Sequence, residues 1–228
     1  MKKVDLSTFF LISTQMNKTK KILVLFTLFI VPLLFYIFLS KGIYKYANLP
    51  ILTENVEDVK DDATFKEHFT VVCFLGDDLS KTKGQLFNLN ETIYKRYNKS
   101  LYFQTVVILP PGNENEMEQI KKRLGTYADA SKWKFVTASK EEIVYIFNSF
   151  DSPYTLNNNF GSDYAFIVDR ELRLRGRKDD EEIEGGKLYG YDMTSVAILK
   201  NKMRDDIGII YYQLKKSMQK EKRRKREI

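Results

Sequence analysis

Eighteen consecutive residues without a charge, Ile22 to Leu39 (ILVLFTLFIVPLLFYIFL), limit what this chain can become more than any other stretch in it. Fifteen of them are Ile, Leu, Val or Phe, and at roughly −0.3 to −0.6 kcal/mol each on an insertion scale they favour a bilayer by several kcal/mol. At ~1.5 Å per residue the helix reaches about 27 Å, close to the ~30 Å hydrocarbon thickness of a typical bilayer. A soluble core helix would carry a polar face, whereas only Thr27, Pro32 and Tyr36 interrupt this run. Residues 22–40 are therefore expected to form a transmembrane anchor. Pro32 is tolerable there because lipid-embedded helices accept a kink.

Lys2, Lys3, Lys18, Lys20 and Lys21 precede the span against the single acid Asp5, and only Lys41 and Lys45 follow closely. This lysine bias predicts a cytoplasmic N-terminus over residues 1–21. The segment after Leu39 is Ser-Lys-Gly-Ile-Tyr-Lys-Tyr, without the small residues of a signal-peptide cleavage site. No Arg precedes the span, which argues against a mitochondrial presequence. The expectation is a single-pass protein of a bacterial inner membrane with a periplasmic C-terminal domain. Met16 also opens a complete positively charged start, so whether residues 1–15 are translated stays open.

The net charge of +7 would suggest an anionic partner if it were spread over the chain. It is not: Lys215 to Ile228 holds eight Lys or Arg against two Glu, a surplus of six, which leaves the remainder near neutral. A nucleic-acid role loses its support. The tail, residues 215–228, reads as a solvated helix end, with attraction to anionic lipid as the alternative.

Between anchor and tail the pattern is α/β. Residues 41–66 read as a linker, mixed acids and lysines after Pro50 with few large apolar residues. Thr70–Leu75 (TVVCFL) is a strand of the kind buried on both faces. Leu86, Leu89, Ile93 and Tyr97 have helical spacing over Gly84–Tyr97, and Leu101–Leu109 is a second buried strand closed by Pro110-Pro111-Gly112, which completes a βαβ unit. A helix is expected over Glu114–Leu124, ended by Gly125. A short strand at Trp133 runs into a helix whose start is marked by Ser139 and Glu142, spaced as a capping box.

Tyr164–Val168 and Leu172–Arg175 are expected to pair as an antiparallel hairpin across Asp169-Arg170-Glu171, the second strand half exposed. Asp179–Gly186 follows as an acidic, glycine-containing insert. Val196, Leu199, Met203, Ile207, Ile210 and Leu214 then form one stripe of a long amphipathic helix. This order predicts a thioredoxin-like three-layer α/β sandwich over residues 67–214.

Trp133-x-Phe135-x-Thr137 running into Glu141-Glu142-Ile143, then Tyr164-Ala-Phe-Ile-Val-Asp169 and Arg173-Leu-Arg-Gly176, resembles the Sco (SenC) family. The anchor, Leu49-Pro50-Ile51-Leu52 and the closing helix are similar too. Those are membrane-anchored thioredoxin-fold proteins that help assemble the copper centre of cytochrome c oxidase. The family's copper ligands are two cysteines three residues apart after the first core strand and a histidine before the later hairpin. Laid on this chain they fall near Leu79, Lys83 and Gly161, so the resemblance implies a degenerate member with a pseudo-active site. The family's tight turn also ends in Gly where Leu172 stands, which implies a rebuilt turn.

The chain has one cysteine, Cys73, and one histidine, His68. No intramolecular disulfide, CxxC pair or Cys/His cluster can be built from them. Cys73, between Val72 and Phe74, reads as a core residue rather than a reactive thiol, and His68 as a surface residue ahead of the strand. Five residues apart along a strand, the two project to opposite faces. Asp179, Asp180, Glu181, Glu182 and Glu184 lack the alternating spacing of a calcium loop and read as solvated. Gly185-Gly186 reads as a turn, and the sequons at Asn90 and Asn98 as accidental.

No catalytic residue, metal or cofactor is expected. The functional expectation is a non-catalytic accessory or interaction module in oxidase copper-centre assembly, with the bilayer and an oxidase subunit or assembly factor as partners. The alternatives are a single-cysteine redox protein using Cys73 and a structural envelope protein unrelated to oxidase biogenesis.

Overall fold

The computed structural model describes residues 18–46, 48–59 and 63–224. They fall into two units, the first within Met1–Ala47 and the second Asn48–Ile228. Expectations for residues 1–17 and for the end of the tail, 225–228, lie outside the described residues.

The described residues of the first unit include the helix α1 (Lys18–Tyr46), with Pro32 inside it. Its Lys18–Phe38 portion has a mean hydropathy of 2.5, and none of it is buried. Leu23, Phe26, Phe29, Leu34 and Phe38 are all more than half exposed. Among the described residues there is thus one helix, near the N-terminus, long and apolar enough to cross a membrane.

The second unit is built on one mixed sheet: β1 (Ile51–Thr53), β2 (Phe69–Leu75), β3 (Phe103–Leu109), β4 (Trp133–Thr137), β5 (Gly161–Val168), β6 (Leu174–Arg175) and β7 (Tyr191–Asp192). The spatial order is β1-β6-β5-β2-β3-β4, with β7 on β5. β2, β3 and β4 are parallel, while β5 runs antiparallel to β2 and to β6. Parallel β2 and β3 are joined by α2 (Leu79–Leu89), which continues through a π turn, Asn90–Tyr94, and a last turn, Lys95–Tyr97. The β5–β6 hairpin and a closing helix complete the thioredoxin-like arrangement.

Every residue of β2 and β3 is buried, as their unbroken apolar runs require. Val71, Cys73 and Leu75 face a core built with Leu86, Leu89 and Ile93 of α2, Ile120 and Leu124 of α3 (Glu114–Tyr127), and the closing helix. Val72 and Phe74 face the other core, under α4 (Lys140–Asn148). There Phe74, Phe147, Phe150 and Phe166 pack mostly edge to face, with centroids 5.0–6.4 Å apart. The closing helix, α5, runs from Val196 through a second π turn, Leu199–Met203, to Arg224. Leu199, Met203, Ile207, Ile210 and Leu214 are buried along it as expected, whereas Val196 is exposed.

The capping box forms as its spacing predicts: the Glu142 N–H donates to Ser139 Oγ at 3.2 Å, and the Ser139 N–H to Glu142 Oε2 at 3.0 Å. Several expectations are corrected. α2 begins at Leu79, five residues before Gly84. α3 runs through Gly125 to Tyr127, since nothing in its surroundings forces that glycine out of helical geometry.

The stretch read as linker contributes β1, and Leu49, Val56, Val59, Ala63 and Phe65 are buried. Asp58 organises it, accepting from the Phe65 amide at 2.6 Å and Thr64 Oγ1 at 2.5 Å. Buried Gln104 holds the Thr64 carbonyl at 2.7 Å. Short polar residues that satisfy a buried backbone look like linker composition.

Both residues of β6 are buried rather than half exposed, because β1 covers its outer edge and Asp169 pairs with Arg175 at 2.8 Å. Leu172 keeps the left-handed conformation, φ 59°, that a glycine would adopt freely. The Asp169 carboxylate holds the turn by accepting from the Glu171 and Arg173 amides at 3.0 and 3.1 Å.

Candidate functional site

Of the positions implied by the family resemblance, Leu79 opens α2 shortly after β2 ends, Lys83 lies a turn further along α2, and Gly161 starts β5 opposite Leu75. Gly76 has φ 71°, and a β-carbon there would stand 2.8 Å from the Gly161 nitrogen. Across the strand pair, a β-carbon on Gly161 would stand 2.8 Å from the Leu75 carbonyl oxygen. Asn157 Oδ1 accepts from the Asn159 and Gly161 amides at 2.9 and 3.0 Å. The Asp77 amide donates to the Asn159 carbonyl at 2.9 Å, and Asn113 Nδ2 donates to the Asp77 carbonyl at 2.8 Å. The corner between the end of β2 and the start of β5 is closed by its own backbone.

Leu79 points into the core and is 1% exposed. Lys83 bridges from α2 to Glu116 of α3 at 2.6 Å. Gly161 has no side chain and no room for one. One residue supplies packing, one an ion pair and one a close backbone approach. Among the described residues, no group of three His, Cys, Asp or Glu could hold a metal ion.

Cys73 lies mid-strand in β2 with no exposure, and burial pushes its thiol far above the ordinary range, so its thiolate, the nucleophilic form, is suppressed. His68 precedes β2 at the surface, its Nδ1 3.1 Å from the Lys66 carbonyl oxygen. The structure does not bring the two together.

What the sequence did not reveal is a buried polar network beneath the acidic insert. Asp180 is 5% exposed, and its Oδ1 takes Lys202 Nζ at 2.6 Å. Arg177 Nε donates to Asp206 Oδ2 at 2.7 Å, and the buried Tyr191 hydroxyl donates to the same oxygen at 2.7 Å. The reading of Asp180 as solvated is therefore corrected, while Gly185 and Gly186 do form the turn, with φ 77° and 73°.

Burial opposes the charge on Asp180, but the bonds from Lys202 and the Glu182 amide and the charge of Arg177 leave its pKa lowered. At Asp206 burial outweighs its bonds to Arg177 and Tyr191, and the pKa is raised. The network joins the insert to α5 and serves as structure. Its sequence signal is slight: Lys202 and Asp206 sit on the buried side of α5, beside Met203 and Ile207.

No family model matches the sequence, and no curated protein matches it significantly. Among solved structures it is similar to a thiol:disulfide interchange protein of the thioredoxin family from Chlorobium tepidum TLS, with 13% identity and a TM-score of 0.39 over 69% of this chain and 97% of that one. It is also similar to the soluble domain of Sco1 from Bacillus subtilis, with 12% identity and a TM-score of 0.38 over 67% and 92% of the two chains. Yeast Sco1 with copper bound follows at 13% identity and a TM-score of 0.31, over 59% of this chain and 75% of that one. These likenesses concern the fold alone, which the strand order of this chain displays by itself.

Proposed function

We propose that this is a membrane-anchored, Sco-like protein that acts by binding another protein, as an accessory in assembling the copper centre of a respiratory oxidase, and not by thiol or copper chemistry of its own. One observation carries the reading: the positions where the family resemblance implies copper ligands hold a buried Leu79, an ion-paired Lys83 and a Gly161 without space for a side chain. The only sulfhydryl, Cys73, is sealed in the sheet. The oxidase partner comes from the sequence resemblance, an associational warrant. Helix α1 supplies the anchor, and the body after it lies on the periplasmic side of a bacterial inner membrane.

The test combines copper titration of the purified protein with recovery of the tagged protein from membranes that are assembling oxidase. The reading expects no stoichiometric Cu(I) site, and co-purification of an oxidase subunit or assembly factor. A tight one-to-one copper site would overturn it. So would oxidase that matures with normal copper content in cells lacking this protein.

A further inference from the structure

One end of the second unit combines features that suit a charged bilayer surface. Leu101, in the turn leading into β3, is 75% exposed, more than any other large apolar side chain described in this unit. Arg170 lies over the ring of Tyr102, the next residue in the chain, at 5.1 Å, and its Nε donates to the Glu67 carbonyl at 3.1 Å, which holds the guanidinium in place. Arg170 also borders a cleft of about 190 Å³ with Arg173 and Arg175. The acids there are committed: Asp169 pairs with Arg173 and Arg175, and Glu171 with Arg173.

Helix α5 reaches the same end, where Tyr211 packs on Phe69 at 6.1 Å, and runs on with Lys215, Lys216 and Lys220 exposed. The chain enters this unit at the same place. Asn48 Oδ1 accepts from Gln213 at 2.9 Å, and a single residue joins Asn48 to Tyr46, the last residue of α1.

We propose that this end of the domain is a bilayer-contact surface, with Leu101 entering the headgroup layer and Arg170 and the exposed α5 lysines drawing anionic phospholipid around it. It rests on the membrane-anchored reading above and adds to it a fixed orientation of the body. The occupant follows from the chemistry: an exposed leucine at the end of the unit that also bears Arg170 and the exposed lysines of α5 suits an apolar layer with negative headgroups, which attract basic residues. The tether enters from the same side. The opposite end of the sheet, past Leu109, lies about 23 Å away at ~3.3 Å per residue along β3.

The test uses the full chain in nanodiscs containing phosphatidylglycerol and a headgroup-nitroxide lipid. A fluorophore is placed at Leu101→Cys or, at the far end, at Pro111→Cys; buried Cys73 leaves the introduced thiol as the reactive one. The expected result is quenching several-fold stronger at position 101 than at 111, reduced when phosphatidylcholine replaces phosphatidylglycerol or when Arg170→Ser is added. Equal quenching at the two positions in protein that resists alkaline carbonate extraction overturns the surface and leaves the anchor standing. Extraction by carbonate would remove the anchor instead. The same comparison with added phosphatidylglycerol vesicles then decides the surface: preferential quenching at 101 supports it, and none overturns it.

Discussion

The Leu75 carbonyl oxygen and Gly161 approach each other so closely that a β-carbon on Gly161 would stand 2.8 Å from that oxygen. This contact joins β2 to β5 close to where α2 begins, and it is backbone on backbone, so neither side can yield cheaply. Gly161→Ala is expected to destabilise the protein by about 1–3 kcal/mol, the usual cost of overpacking. Gly161→His should cost more and should not create a copper ligand. The midpoint of urea unfolding checks both, and an unchanged midpoint for Gly161→Ala would disprove the contact.

The Asp180–Lys202 pair predicts a pH dependence. Asp180 has a lowered pKa in the folded protein, so its contribution is present above the ordinary value of 3.8 and is lost as pH falls through the lower folded value. Asp180→Asn should flatten the acid limb of a stability–pH curve. Asp206 has the opposite sign: its pKa is raised above 3.8, so its contribution is lost as pH rises through the folded value. Asp206→Asn should remove that decline. The two variants changing the acid limb in the same direction would contradict the assignment.

Lys202→Met leaves Asp180 buried with Arg177, at 3.4 Å, in place of its closer cationic partner. Breaking a buried pair by removing one member is expected to cost about 3 kcal/mol. Thermal unfolding of the variant checks it, and a cost below about 1 kcal/mol, the range of surface pairs, would place the pair in solvent.

Cys73 should react with a thiol reagent only when the sheet opens. Alkylation of the native protein is expected to be slow and to accelerate with denaturant in step with global unfolding, since the residue sits mid-strand between β3 and β5. Fast modification in native buffer would return the single-cysteine redox alternative to consideration.

Ser139→Ala should destabilise the protein by about 1 kcal/mol, the typical cost of losing an N-cap. Ser139→Asp should restore most of it. Chemical denaturation of the two variants measures the difference.

The elements that sequence reasoning placed well are those where one kind of force decides. Buried strands β2 and β3 show themselves by unbroken apolar runs, α4 by its capping box, and α5 by a stripe from Leu199 to Leu214. What it missed depends on contacts distant in the chain. Nothing local marks Asp180 for burial among five acids in six residues, because its partners Lys202 and Arg177 reach it only after the chain has folded. Residues 41–66 looked like linker because β1, within them, is three residues long and gains its stability from β6, some 120 positions away. Nothing local shows why position 161 must be glycine either, since that depends on the Leu75 carbonyl across the strand pair.

The wide turns at Asn90–Tyr94 and Leu199–Met203 pack against each other, and each takes up one residue more than an ordinary helix would. Such an insertion offsets the angular phase of a helix by about 100° between the residues before and after it. In α5 the stripe of Leu199, Met203, Ile207, Ile210 and Leu214 is buried across this turn, whereas Val196, in the first turn of the helix, is exposed. Deleting a single residue from the Leu199–Met203 turn would therefore swing the following five turns around the axis, turning polar side chains inward along the whole length of the closing helix.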